Sequence, residues 1–221
     1  MTCWIAIPIK EPGACKTRLR AVLGDAEREH LAGAMLHHVL TVTRNVGGRV
    51  LLIAPAGHDV PAEIERISDR RRGLNGELTG LTVAAAASDV DRLVIVPADL
   101  PLIVASDMRA LTDLPRGNAA IASDRAQLGT NALSLPLPAA RDFRFQFGHT
   151  SFERHCAEAA RLNMPLTTVR SDRLAFDIDE PADLIDLLEQ YPDIGQAMLH
   201  SDRRWTEAGR HLEAGGVVGS N

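Results

Sequence analysis

The sequence predicts a single α/β domain with a mainly parallel central sheet and helices on both faces. Short continuous apolar runs, Cys3 to Pro8, Val50 to Ala54 and Leu93 to Val96, have the length of strands buried on both sides. Between them stand helical stripes. Leu31, Met35, Val39, Val42 and Val46 recur every three or four residues, the face of an amphipathic helix from Asp25 to Asn45. A strand, a helix and a second strand in that order describe a parallel crossover unit.

The elements follow in order. The first apolar run feeds a Pro/Gly loop, and a helical pattern begins at about Lys16. Gly47 and Gly48 stop the long helix. After the strand at Val50, Pro55 to Pro61 is loop, Ile64 and Ile67 suggest a short helix, and an Arg70-Arg71-Arg72-Gly73 corner follows. Leu74 to Leu78 leads into an alanine-rich helix that ends near Ser88. A helix over Ser106 to Leu114 precedes strands at Ala119 to Ala122 and Asn131 to Leu135. Thr150 and Glu153 have the spacing of a capping box, opening a helix with Phe152, Cys156 and Ala159 or Ala160 on one face. Leu166 to Val169 reads as a strand, and Ala175 to Asp179 as an extended piece. Asp179 is then expected to cap a helix with Pro181 in its first turn and Leu184, Leu187, Leu188 and Tyr191 inside. Residues 1–200 form the domain. Residues 201–221 are an extension, and disorder is expected after about Leu212.

Composition narrows the function. The 221 residues are 45% apolar and 24% charged, ordinary for a soluble globular chain. A net charge of −5 argues against nucleic acid or an anionic membrane as partner. Cys3, Cys15 and Cys156 are far apart and never at metal spacing, so neither a disulfide framework nor structural zinc is expected. No basic leader and no run of membrane-spanning length is present, which makes the cytoplasm the expected compartment.

Three stretches lie just after strands, where such sheets bind ligands. The first carries Lys10, Lys16 and Arg18, three cations beside a helix start, and suits phosphate. It is not a Walker loop, because Lys10 and Cys15 stand where that motif needs glycine. The second is Asp99, behind four apolar residues and flanked by prolines. The third is Asp177 with Asp179, two apart on an extended segment and therefore on one face. Asp99, Asp177 and Asp179 are candidate magnesium ligands, since magnesium takes oxygen donors, usually one or two carboxylates with phosphates and water. Each also has a plainer reading as a turn or cap residue. Gly148, His149 and Ser151 surround a helix start that could hold a second anion, and Thr130 and Asn131 could add polar contacts.

These pieces, taken in order, resemble one family: the CofC/FbiD-type guanylyltransferases of deazaflavin coenzyme F(420) biosynthesis. The matching segments are Ile9-Lys10, Lys16-Thr17-Arg18-Leu19, Gly73-Leu74-Asn75, Pro97-Ala98-Asp99-Leu100-Pro101 and Gly129 to Leu133. Phe147-Gly148 with Ser151-Phe152 and His155, and Asp177 to Pro181 with Asp183-Leu184, complete them. The match runs to about Leu188. Glu77 departs from it, standing where the family tends to have a small residue.

The resemblance implies a glycosyltransferase-A-like (Rossmann-like) nucleotidyltransferase fold. It implies transfer of GMP from GTP to a phosphorylated three-carbon acid, with release of pyrophosphate and Mg2+ as cofactor. Lys16, Arg18 and Asp99 would be catalytic, and Lys10, Lys16, Asn75, Leu78 and Pro97 would bind nucleotide. Thr130, Gly148, His149 and Ser151 would hold the acid, and Asp99, Asp177 and Asp179 the metal. The product would pass to a deazaflavin transferase; a homodimer is left open. Among acids, 3-phospho-D-glycerate is slightly favoured over phosphoenolpyruvate and 2-phospho-L-lactate, because His149 and Cys156, seven apart, would share a helix face and His149 could meet an extra hydroxyl. Two alternatives stand: another nucleotidyltransferase of the same fold, of molybdopterin or sugar-phosphate type, and a nucleotide-binding module without catalysis.

Overall fold

The computed structural model describes residues 1–10, 15–56, 58, 60–62 and 64–200. Residues 11–14 of the opening loop and the 201–221 extension therefore lie outside the described residues. Seven strands are assigned: β1 (Cys3–Pro8), β2 (Arg49–Ala54), β3 (Glu65–Ser68), β4 (Arg92–Ile95), β5 (Ala119–Ser123), β6 (Thr130–Pro136) and β7 (Leu166–Thr168). The helices are α1 (Asp25–Arg44), α2 (Gly73–Ala86), α3 (Ala105–Thr112), α4 (Ser151–Arg161), α5 (Asp172–Ala175), α6 (Pro181–Gln190) and α7 (Pro192–His200), with a 3-10 turn at Thr17–Ala21.

The strands form one sheet in the order β3-β2-β1-β4-β6-β5-β7. All neighbours are parallel except β6, which runs antiparallel to both β4 and β5. On one face α1, α3 and α5 cover Ile5, Ile7, Leu52, Val94 and Ala132. On the other, α2 and α4, with Phe143 and Phe145, cover Leu51, Leu93, Leu133 and Leu135. This two-faced burial is why the strands read as unbroken apolar runs. A third cluster joins α1, α6 and α7 through Leu31, Met35, Leu187 and Met198.

The order from β1 outward reverses at β1, whose neighbours are β2 and β4. That reversal opens a crevice at the carboxyl ends of β1 and β4. Because β6 is reversed, its first residues, Thr130 and Asn131, arrive at the same edge.

Several elements differ from the sequence reading. Ile64 and Ile67 belong to no helix; Glu65–Ser68 pairs with Leu51–Ala54 as β3. Ile64 joins the α1 face and Ile67 the α2 face, as an odd separation on extended chain requires. A helix was expected from Lys16, but only one 3-10 turn forms there before Asp25. Ala175 ends α5 rather than beginning an extended piece. Helix α7 lacked a sequence signal distinct from α6. Thr150 does not cap α4 through its side chain; it adopts a left-handed conformation with φ 58°. Asp179 is not the cap of α6 either. Glu180 occupies that position, and Asp183 accepts the backbone N–H groups of Asp179 and Glu180.

Candidate active site

Lys16 is placed by backbone on both sides. The Arg28 guanidinium, buried on α1, donates to the Cys15 carbonyl at 2.8 Å, and the Lys16 carbonyl accepts the Leu19 N–H. Lys16 itself is left-handed, φ 51°, and Leu19 is fully buried just after it. The chain therefore turns sharply and sends the Lys16 side chain inward to 9% exposure. Its ammonium lies 2.7 Å from Asp99 and 3.0 Å from Asp179. Burial alone would lower its pKa, but the two carboxylates outweigh burial and raise it well above the ordinary lysine value. It is a permanent cation at neutral pH.

Asp99 follows β4 through Val96, Pro97 and Ala98. Its carbonyl accepts the Ile178 N–H at 3.3 Å, docking the segment after α5 alongside it. The Ile178 side chain is fully buried in the α1–α6–α7 cluster, so Asp177 and Asp179 turn the other way, toward the crevice. Asp179 reaches Lys16, while Asp177 accepts from the Asn131 amide at 3.1 Å. Burial first, and then the Asp99 charge, lift Asp177 to about 6, against the Asn131 hydrogen bond. Burial also acts on Asp179, but Lys16 outweighs it and lowers that group. The three carboxylates thus share one negative field, and Lys16 compensates two of them.

A β-bulge sorts the residues that begin β6. Ala122 faces Ala132 and Ser123 faces Thr130, so Asn131 is an extra residue. Ala132 packs on the α1 face and Leu133 on the α2 face. Strict alternation would send Asn131 to the α2 face, but the bulge turns it to the α5 side, where it donates to Leu174 carbonyl and Asp177. Thr130 is correspondingly turned to α4, where its hydroxyl lies 3.0 Å from His155 Nδ1. His155 is fully buried, and burial pushes its imidazole down to about 4.

The loop ahead of α4 is tied at both ends. Gln146 N–H donates to His155 Nε2 at 2.9 Å. The Asn75 side chain of α2 accepts the Phe147 N–H at 2.8 Å and donates to its carbonyl at 3.3 Å. Asn75 is therefore engaged with the loop. Gly148 is exposed at φ 133°, a conformation that favours glycine, and Ser151 is buried at the start of α4. The N–H groups of Ser151 and Phe152 already donate to the Gly148 and Leu128 carbonyls, so this helix start has fewer free donors than the sequence suggested. His149 is exposed and precedes α4, whereas Cys156 packs beside the phenylalanine cluster inside it. They do not share a helix face, which removes the geometric reason for favouring 3-phosphoglycerate.

The remaining predicted residues divide between rim and core. Arg18 is exposed and pairs with Glu180 at 3.2 Å. Lys10 is exposed, and its charge helps to lower Asp179. Pro97 is half-buried beside Asp99. Leu78 is fully buried in the α2 core, where its side chain packs with the sheet. Glu77, also buried, accepts the N–H groups of Arg70 and Arg72 and pairs with the Arg72 guanidinium, fastening the arginine corner to α2.

Asp99, Asp177 and Asp179 offer only hard oxygen donors. Among the described residues no three acidic, histidine or cysteine side chains are gathered into a preformed metal cage. Magnesium does not require one, since it keeps waters and takes the rest of its ligands from phosphates. Sequence reasoning missed Asn131 as the holder of Asp177, and Arg28 as the anchor of the turn before Lys16. In the sequence Asn131 reads as a polar contact for a second anion, with nothing to tie it to Asp177. Arg28 looked like the polar face of a helix.

A family model described as "Guanylyl transferase CofC like" matches residues 3–197. A phosphoenolpyruvate guanylyltransferase of Sphaerobacter thermophilus is 38% identical over 204 residues, 87% of this chain and 95% of that protein. One of Chloroflexus aggregans is 34% identical over 187 residues, 80% of this chain and 92% of that protein. A 2-phospho-L-lactate guanylyltransferase of Methanothrix thermoacetophila is 36% identical, covering 82% of this chain and 81% of that protein. Among solved structures, 2-C-methyl-D-erythritol 4-phosphate cytidylyltransferase of Thermus thermophilus shares the fold with a TM-score of 0.53 and 17% identity, over 82% of this chain and 94% of that one. The fold is thus that of the nucleotidyltransferases, and the chain belongs to the CofC-like guanylyl transferase family.

Proposed function

We propose that this nucleotidyltransferase transfers GMP from GTP to phosphoenolpyruvate or a closely related phosphorylated three-carbon acid, releasing pyrophosphate. The observation that carries the reading is the buried Lys16 ammonium between Asp99 and Asp179, at the crevice where β1 and β4 end. The acid favoured is phosphoenolpyruvate, after the names of the Chloroflexus and Sphaerobacter relatives. The product, a guanosine diphosphoryl acid, is an activated anhydride suited to a following transfer onto a deazaflavin in coenzyme F(420) biosynthesis.

The chemistry is an in-line displacement. An oxygen of the acid's phosphate forms a bond to the α-phosphorus of GTP, and the bond from that phosphorus to the β-bridging oxygen breaks. The electron pair leaves with pyrophosphate. The nucleophile is already an anion, so no general base is needed, and catalysis rests on positioning and charge neutralisation. Lys16 stays charged throughout and neutralises phosphate oxygens without moving a proton. Arg18 and Lys10, exposed at the rim, would meet the outer phosphates. Thr130, Gly148 and Ser151 would hold the acid. Magnesium, held by Asp99 with Asp177 and Asp179, would neutralise the attacking and leaving oxygens when bound.

The test is a panel. The protein is incubated with magnesium, each of GTP, ATP and CTP, and each of phosphoenolpyruvate, 2-phospho-L-lactate and 3-phospho-D-glycerate, and pyrophosphate is measured. Release with GTP and phosphoenolpyruvate is expected to be fastest. Absence of release with every acid, despite nucleotide binding, overturns the reading.

A further inference from the structure

Among the described residues, His155 is a fully buried histidine that the proposed reaction does not use. It stands among three aromatic rings, with Phe147, Phe143 and Phe145 at centroid distances of 4.7, 5.7 and 6.5 Å. Its two nitrogens face different partners. Nε2 is 2.9 Å from the Gln146 N–H, which can only donate, so Nε2 must accept and carries no proton. Burial keeps the ring neutral, so the single proton is on Nδ1. Nδ1 then donates to the Thr130 hydroxyl at 3.0 Å.

That assignment constrains Thr130. A hydroxyl has one proton and two lone pairs, and here one lone pair is taken by His155. The hydroxyl proton is left to point elsewhere. Thr130 lies at the ligand-binding edge of the sheet, turned to this side by the bulge at Asn131.

We infer that His155 is a positioning residue: as the Nδ1–H tautomer it makes Thr130 a hydrogen-bond donor to an anionic oxygen of the acid substrate, and through Gln146 it fixes the loop that carries Gly148. This rests on the proposed reading of the acid pocket. The backbone N–H is the fixed reference, because it has no alternative protonation state. The loop, the imidazole and the hydroxyl thus form one polar chain, and the threonine is oriented before the acid arrives.

Three measurements test it. Nitrogen NMR of the labelled protein should find the His155 proton on Nδ1; a proton on Nε2 overturns the inference, whatever the reaction proves to be. Binding of the three acids by calorimetry should weaken about tenfold or more in His155→Phe for the tightest of them, with GTP affinity unchanged. His155→Asn, whose amide can overlay Nδ1 and donate to Thr130, should recover most of that loss, with circular dichroism confirming the fold of both variants. Unchanged acid binding in the Phe variant, a parallel loss of GTP binding, or no acid binding by the wild type would each overturn it. Failure of the wild type to release pyrophosphate while it still binds acid would sink the reaction and leave the positioning role standing.

Discussion

The Lys16 ammonium lies 2.7 Å from Asp99, across 83 residues of chain, and is almost wholly buried there. A lysine in this setting does two things: it supplies charge to a bound phosphate and offsets carboxylates that would otherwise repel. Lys16→Met keeps the bulk and removes the charge. Turnover should fall by about a hundredfold or more, as when a charged stabiliser of a transition state is removed. Without divalent cations the variant should also lose stability, by on the order of 1 kcal/mol, because the carboxylates left unpaired, Asp99 at 26% and Asp179 at 48% exposure, are partly screened by solvent. Magnesium should raise its melting temperature more than it raises that of the wild type. Equal responses in a melting titration would remove the carboxylates from the proposed metal site.

Asp177 gives a pH dependence of known sign. Its folded pKa, about 6, lies above the ordinary value of 3.8. Between those values the folded state binds more protons than the unfolded state. This group's contribution is therefore fully favourable below pH 3.8 and is lost as pH rises through 6. In metal-free buffer at pH 8, Asp177→Asn should stabilise the protein, by on the order of 2 kcal/mol. Near pH 4 the difference should vanish. Denaturant melts at the two pH values check it, and a destabilised variant at pH 8 would contradict it.

Asn131 holds the Asp177 carboxylate and the Leu174 carbonyl with one amide. Asn131→Ala should leave Asp177 charged but unplaced. Groups that orient metal-binding carboxylates typically matter by about 10- to 100-fold in metal affinity or activity. The magnesium concentration for half-maximal rate should rise by such a factor while GTP binding in the absence of metal is unchanged. An unaltered magnesium dependence would show that Asp177 needs no holder.

Glu77 should matter to architecture. Its carboxylate is held down to about 2, chiefly by the Arg72 side-chain hydrogen bond, with the Arg72 and Arg70 N–H groups assisting. The lowered pKa means that its stabilising contribution is present above pH 4.5 and is lost as the pH falls toward 2. Glu77→Ala should lower the melting temperature by several degrees at pH 7 and by less in acid. The same scan at both pH values decides it; an equal loss at each would indicate a packing role alone.

Much of this was legible in the chain, for physical reasons. Buried strands advertise themselves as apolar runs, and the residues just past them, Lys16, Asp99, Asp177 and Asp179, could be placed at one edge by a general rule of such sheets. Direction was harder. The run Asn131 to Leu135 is equally apolar read either way, so nothing in it says that β6 is reversed; the short Asp124–Gly129 connection from β5 is what forbids a parallel return. Asp179 looked like a cap because it precedes a proline-started helix, yet Asp183 took over the capping from inside the helix. His155 and Arg28 were hidden because their roles depend on a backbone group brought from elsewhere. Local sequence says nothing about which N–H or carbonyl will arrive beside a buried side chain.

The bulge at Asn131 has a consequence for how this chain can change. Thr130 and Asn131 would face opposite sides of the sheet in any strand, but they face the sides they do only because the strand carries one extra unit, so both placements depend on a single phase shift. Deleting that residue would leave a well-formed ladder with Thr130 on its present side and Asp177 without the amide that holds it. An insertion or deletion between Thr130 and Leu133 would shift that phase, whereas an exchange of side chain would leave it intact. On the proposed reading of the acid pocket, side-chain exchange in place can change what this edge binds, whereas a change of strand length moves the residues themselves.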